Sequence, residues 1–189
     1  MKFKDTKYSD LTGKDYESDI DISEINITSL EGAPKSVDGY FDCSNTSNLT
    51  SLKGAPKNVS GYFSCSGNPK LTSLEGAPEN VGAGFYCSHN PKLKSLKGAP
   101  KNVFGSFWCS YDVNLISLDE ISKNIGGNFY CNGNPKLNQS EIDKLVRCDI
   151  KGKITAPDGL KAPTKEDFKL YKKLGDRKYW KLKDLKDSL

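Results

Sequence analysis

Apolar residues recur along most of this chain with a period of 22, far longer than a helical turn or a strand alternation. Leu30, Leu52, Leu74, Leu96 and Leu118 fall 22 apart. Four further columns keep their place behind each leucine: Val37/Val59/Val81/Val103/Ile125, Phe41/Phe63/Phe85/Phe107/Phe129, Cys43/Cys65/Cys87/Cys109/Cys131 and Leu49/Leu71/Leu93/Leu115/Leu137. The unit reads L-x-G-A-P-x-N-V-x-G-x-F-x-C-S-x-N-P-x-L-x-S. It drifts in the fifth copy, where Glu120-Ile121-Ser122 replaces Gly-Ala-Pro. Twenty-two residues are too few for a four-stranded propeller blade and fit one coil of a solenoid. Phenylalanine and cysteine stand two apart, so they share one face of a short strand, and stacking turns each column into a ladder. Burying one Phe or Leu contributes roughly 1.5–3 kcal/mol. A single coil cannot bury its face alone, so stability must come from its neighbours.

The polar half of the unit is turn chemistry. Gly-Ala-Pro and Asn-Pro-Lys break regular structure. The asparagine after the strand (Asn68, Asn90, Asn134) can bond the backbone of adjacent coils, with Thr46 and Asp112 in its place in units one and four. No unit holds ten residues of helical periodicity. The expected fold is therefore mainly β: a right-handed solenoid of five 22-residue coils without convex helices, followed by a short α-helical C-terminal segment. Residues 1–29, with Ile20, Ile22, Ile25 and Ile27, read as an N-terminal cap with a degenerate half-coil, and residues 30–137 as the solenoid. Residues 138–150 read as a C-terminal cap opening on a short helix, with Cys148 beneath the cysteine ladder. Residues 151–189 read as a basic linker and tail. There Thr164-x-x-Asp167 resembles a capping box and Gly175 a helix stop, giving two short helices.

The segment F-x-C-S-x-N-P-x-L-x-S-L resembles the L-x-L-x-x-N-x-L-x-x-L of leucine-rich repeats, with one residue added between Asn and Leu. The return G-A-P-x-N-V is similar to that of the short bacterial class, whose outer side lacks helices. Phe and Cys in place of leucine depart from that consensus. Repeats with L-x-G-A-P and F-x-C-S wording also resemble those of tailed-phage and bacterial proteins. The resemblance spans about residues 20–137 and implies an architecture, together with a phage or bacterial origin.

Composition narrows the chemistry. Net charge is +4 over 189 residues, but residues 151–189 carry 12 basic and 6 acidic side chains and leave the body slightly acidic. No run of apolar residues is long enough for a transmembrane helix. The first ten residues lack the apolar core of a signal peptide, so a cytoplasmic location is expected, that of the bacterial host if the chain is phage-encoded. Six cysteines, the first five spaced by 22 and Cys148 a further 17 on, do not form the close pairs of a metal site. In a reducing compartment they should be free, buried thiols acting as small apolar fillers. One histidine, without a nucleophile or carboxylate at matching positions, gives no catalytic set. No cofactor or metal is expected, nor an enzymatic activity.

The positions that vary from unit to unit point elsewhere. Between Phe and Cys lies an outward residue: Asp42, Ser64, Tyr86, Trp108, Tyr130. Two residues earlier lies another: Tyr40, Tyr62, Gly84, Ser106, Asn128. Stacking should align Tyr40 and Tyr62 on one track and Tyr86, Trp108 and Tyr130 on the next, with His89 and Tyr111 just past the strand ends. Exposed Trp and Tyr are enriched at interaction hot spots. These seven residues are the candidate partner-binding set, and the expected function is a non-enzymatic module that binds a protein, such as a host protein blocked sterically. Two bland readings stand beside it: aromatics suit strands, and Tyr179 and Trp180 of the tail could cover them. The alternatives in function are a virion or assembly component, or nucleic-acid binding through the basic tail. Nucleic acid is disfavoured because the aromatic face carries no Lys or Arg and acidic residues interrupt the lysines of the turns. The expected state is a monomer or weak oligomer.

Overall fold

The computed structural model describes residues 11–188. The chain winds as a parallel β-solenoid. Each coil contributes two strands of two residues: β1 (Asp15–Tyr16) and β2 (Ile20–Asp21), β3 (Ser36–Val37) and β4 (Phe41–Asp42), β5 (Asn58–Val59) and β6 (Phe63–Ser64), β7 (Asn80–Val81) and β8 (Phe85–Tyr86). Then follow β9 (Asn102–Val103) and β10 (Phe107–Trp108), β11 (Asn124–Ile125) and β12 (Phe129–Tyr130), and finally β13 (Asp149–Ile150) and β14 (Ile154–Thr155). The odd strands form one seven-stranded sheet and the even strands another, each in strict coil order. Seven strands per sheet delimit about six turns, one more than the five units visible as repeats.

The extra coils lie at the two ends, where spacing and wording fail together. Ile20 pairs with Phe41, 21 residues on, and Phe129 pairs with Ile154, 25 residues on. The three additional residues of the last coil are absorbed by a short helix α1 (Gln139–Asp143) and a 3-10 turn (Lys144–Arg147). Asn138 caps α1 with its side chain on the Glu141 N–H. The start of the segment 151–189, expected as linker and tail, thus carries β14 and completes the second sheet. Register gives the cysteine column to Ala156 in this last coil, not to Cys148, which is buried just ahead of β13.

The interior is the set of ladders the period requires. Phe41, Phe63, Phe85, Phe107 and Phe129 are fully buried, with successive centroids 5.5, 5.8, 5.1 and 5.5 Å apart. Aromatic pairs at such spacing add about 0.5–1.5 kcal/mol beyond area burial. All six cysteines are free and buried. In the ladder, the Cys43, Cys87, Cys109 and Cys131 thiols donate to carbonyls of the following coil at 3.1–3.5 Å. Burial pushes the thiol pKa values of all six upward.

The tail docks. Thr164 and Asp167 form the capping box of α2 (Lys165–Leu174), Gly175 ends it at φ 72°, and α3 (Asp176–Asp187) follows. Tyr179 is 2% exposed. Lys183 pairs with Asp143 at 3.1 Å and Arg147 with Asp176 at 2.9 Å, the Arg147 guanidinium lying 5.3 Å over the Trp180 ring. The tail therefore closes the C-terminal end of the solenoid, where Ile142, Leu145 and Val146 would otherwise meet water. An open solenoid end needs such cover because its last coil has no neighbour.

Candidate interaction face

The two expected aromatic tracks form one ladder. Tyr40 and Tyr62 stack with centroids 4.6 Å apart and planes 5° from parallel. Tyr62 meets Tyr86 edge-on at 5.8 Å. Tyr86 and Trp108 follow at 6.0 Å, and Trp108 and Tyr130 stack at 3.8 Å. The edge-on contact falls where the ring moves from the position before the strand to the position within it. A compensating choice of partner makes this possible. Coils with an early ring carry Asp42 or Ser64 in the strand, and coils with a late ring carry Gly84, Ser106 or Asn128 before it. The Tyr86 side chain lies over Gly84, where a Cβ would meet its hydroxyl at 2.7 Å and its ring at 2.8 Å. Asn128 Nδ2 donates to the Tyr130 hydroxyl at 2.7 Å. Each of the five coils thus presents one ring to the same row, and all five rings are half-buried.

The tail does not cover this row. Tyr179 packs on Tyr171 and Trp180, at the C-terminal end. The Trp108 indole N–H is buried within the ladder without an acceptor among the described residues.

The row is electrically polarised by residues that repeat-based reading misses. Register places Asp19 and Asp21 of the first coil beside Tyr40 and Asp42, and Lys153 and Thr155 of the last coil beside Asn128 and Tyr130. Asp19 accepts the Tyr40 N–H at 3.0 Å, and Asp42 accepts the Ser44 N–H at 2.9 Å. Burial and then the carboxylates Asp19, Asp21 and Asp42 raise the pKa of Tyr40; burial, Asp42 and its fellow acids push Tyr62 up to about 12. The signal for these positions was present as the alternation Asp19-Ile20-Asp21-Ile22. It became interpretable once the first coil was seen to pair.

His89 and Tyr111 form a second cluster past the strand ends. Their rings stack at 5.0 Å, and both are exposed. Both adopt φ of 61°. Equivalent positions hold Asn45, Gly67 and Gly133, the residue types that tolerate left-handed backbone; a bulky side chain there is held at an energetic cost. Gly133 also leaves room for the Tyr111 ring, which a Cβ would meet at 2.4 Å. Phe104, 67% exposed beside β9 on the other sheet, is an apolar residue that strand alternation on the Phe–Cys strands does not reach.

Three of the turn lysines are neutralised along the stack. Lys53 pairs with Glu31, Lys97 with Glu75 and Lys101 with Glu79, each at 2.8–2.9 Å. No helix among the described residues is long and apolar enough to cross a membrane. Fold and face together define a parallel β-solenoid bearing an aromatic ladder. No family model matches the chain, and no curated protein or solved structure does so either.

Proposed function

We propose that this chain is a non-enzymatic binding module whose aromatic ladder docks a protein partner. The observation that carries the reading is the row Tyr40–Tyr62–Tyr86–Trp108–Tyr130: one ring per coil, half-exposed, and left open by a tail engaged elsewhere. Stacked rings on a solenoid are pre-ordered, so binding loses little side-chain freedom. Tyr and Trp give large amphipathic contact at low entropic cost. The carboxylates beside Tyr40 and Tyr62 favour a basic side chain of the partner at that end, held by ring faces and acids together. The resemblance of the repeat to leucine-rich repeats of tailed-phage and bacterial proteins supports a host protein as that partner, bound sterically.

The test begins with retention of a protein from bacterial host lysate on the immobilised chain, followed by titration of the purified protein. Trp108→Ala should weaken its binding about thirtyfold or more, the scale of a 2 kcal/mol hot spot. The circular dichroism spectrum and Tm should remain those of a folded solenoid. Unchanged affinity for Trp108→Ala and for the triple Tyr86/Trp108/Tyr130 alanine variant would rule this surface out.

A further inference from the structure

The buried row just past the Phe–Cys strands consists of Thr46, Asn68, Asn90, Asp112 and Asn134, each with no measurable exposure. One arm of each side chain except that of Thr46 ties it to the coil before. Asn68 Oδ1 accepts the Thr46 N–H at 2.7 Å, Asn90 Oδ1 the Asn68 N–H at 2.8 Å, Asp112 Oδ1 the Asn90 N–H at 2.6 Å, and Asn134 Oδ1 the Asp112 N–H at 2.7 Å. The other arm binds carbonyls. Asn68, Asn90 and Asn134 donate from Nδ2 to the cysteine carbonyl three residues back, those of Cys65, Cys87 and Cys131, at 2.8, 2.6 and 2.8 Å. Asn68 and Asn134 also reach the cysteine carbonyl of the preceding coil.

Asp112 keeps the first arm unchanged, so its Oδ2 takes the place of the amide nitrogen. The acceptor that register assigns to it is the Cys109 carbonyl. Oδ2 is buried and has no partner among the described residues. Ionised, it would leave a negative oxygen buried and unpaired in a place with no solvent exposure; such a group costs far more than a neutral orphan. Protonated, it supplies the Cys109 carbonyl with a donor beside the one it already has from Asn134 Nδ2 at 2.8 Å, and relieves the oxygen of its charge.

We propose that Asp112 is a proton-binding site of the folded chain: its Oδ2–H stands in for an asparagine amide, donates to the Cys109 carbonyl of its own coil, and so fixes the carboxyl whose Oδ1 receives the Asn90 N–H across the joint between the coils of β8 and β10. The titratable groups facing it are the thiols of Cys65, Cys87 and Cys109, themselves held neutral by burial. Burial raises the Asp112 pKa to about 8, and the Asn90 N–H opposes this only in part. The joint lies beneath the coils that carry Tyr86, His89, Trp108 and Tyr111, so the proton holds both aromatic clusters in register. Alkalinisation removes the proton and loosens that register. The inference does not depend on what the aromatic face binds.

The sign follows from linkage. An unfolded aspartate titrates near pH 4, and the folded one near pH 8. Between these values the folded state holds a proton that the unfolded state does not, so stability falls as pH rises through the window and levels off above it. Equilibrium unfolding of the full chain and of Asp112→Asn is measured from pH 5 to pH 9. The ratio of the wild-type to the variant unfolding constant should rise about tenfold per pH unit up to about pH 8. Cysteine ionisation in the unfolded state is common to both and cancels in the ratio. Carbon-13 NMR of Asp-labelled wild type provides a readout that needs no variant: one carboxyl should keep its protonated shift at pH 6 and titrate near pH 8. A ratio independent of pH, or every folded carboxyl ionised at pH 6, would overturn the proposal.

Discussion

Asn68→Ala tests the coil-to-coil ladder most directly. The side chain is fully buried and makes three hydrogen bonds: from the Thr46 N–H at 2.7 Å, and to the Cys43 and Cys65 carbonyls at 3.1 and 2.8 Å. The Cys43 carbonyl keeps a second donor in the Thr46 hydroxyl at 3.1 Å. The Thr46 N–H and the Cys65 carbonyl lose the partner Asn68 gave them. A buried orphan costs about 1–3 kcal/mol, so the expected loss is about 4 kcal/mol in all. In a domain of 5–15 kcal/mol total stability that is a major fraction. It lowers Tm by roughly 10 °C. Urea unfolding followed by circular dichroism reads the loss. A lower m-value as well would show the N-terminal coils unfolding on their own, as a stack with nearest-neighbour stability allows. Asn48→Ala, which removes two bonds on the exposed side, to Asn26 and from Lys70, serves as control and should cost under about 0.5 kcal/mol. A loss below 1 kcal/mol for Asn68→Ala would refute the view that this row joins the coils.

Two further outcomes are expected. At pH 8 the folded chain should resist Ellman's reagent at all six thiols, because each is buried and its pKa is raised; denaturant should expose six equivalents together. Rapid labelling of several thiols in the native state would contradict the buried ladder. Tyr179→Ala should undock the tail without unwinding the coils, seen as tryptic cleavage between residues 164 and 188 and a red shift of Trp180 fluorescence; an uncut tail would show that its hold lies elsewhere.

The five units already specify the solenoid, since a period of 22 with invariant Phe, Cys and Leu columns has one economical burial. The Asn row was legible because it repeats with the same period, and the capping box at Thr164 because its chemistry is local. The end coils were not. Asp15–Tyr16, Ile20–Asp21, Asp149–Ile150 and Ile154–Thr155 share no wording with the repeat, and they are strands because a sheet edge beside them needs hydrogen-bond partners. The aromatic positions could be enumerated from strand alternation, but their convergence into one row could not. Whether the Tyr86 ring stands over Tyr62's neighbour or apart from it depends on the space above Gly84, which exists only once coils are stacked.

The sequence by itself determined the architecture, the buried columns, the free thiols and the seven aromatic and histidine positions, because each repeats or stands out against a repeat. Tertiary structure alone decided where the tail lies, that the rings form one ladder, that acids and a lysine bound it, and that the Asp112 Oδ2 is buried without a hydrogen-bond partner among the described residues. Those facts depend on distances between residues about 22 apart or more, and on burial created by neighbouring coils. A one-dimensional pattern carries the period of such contacts but not their geometry.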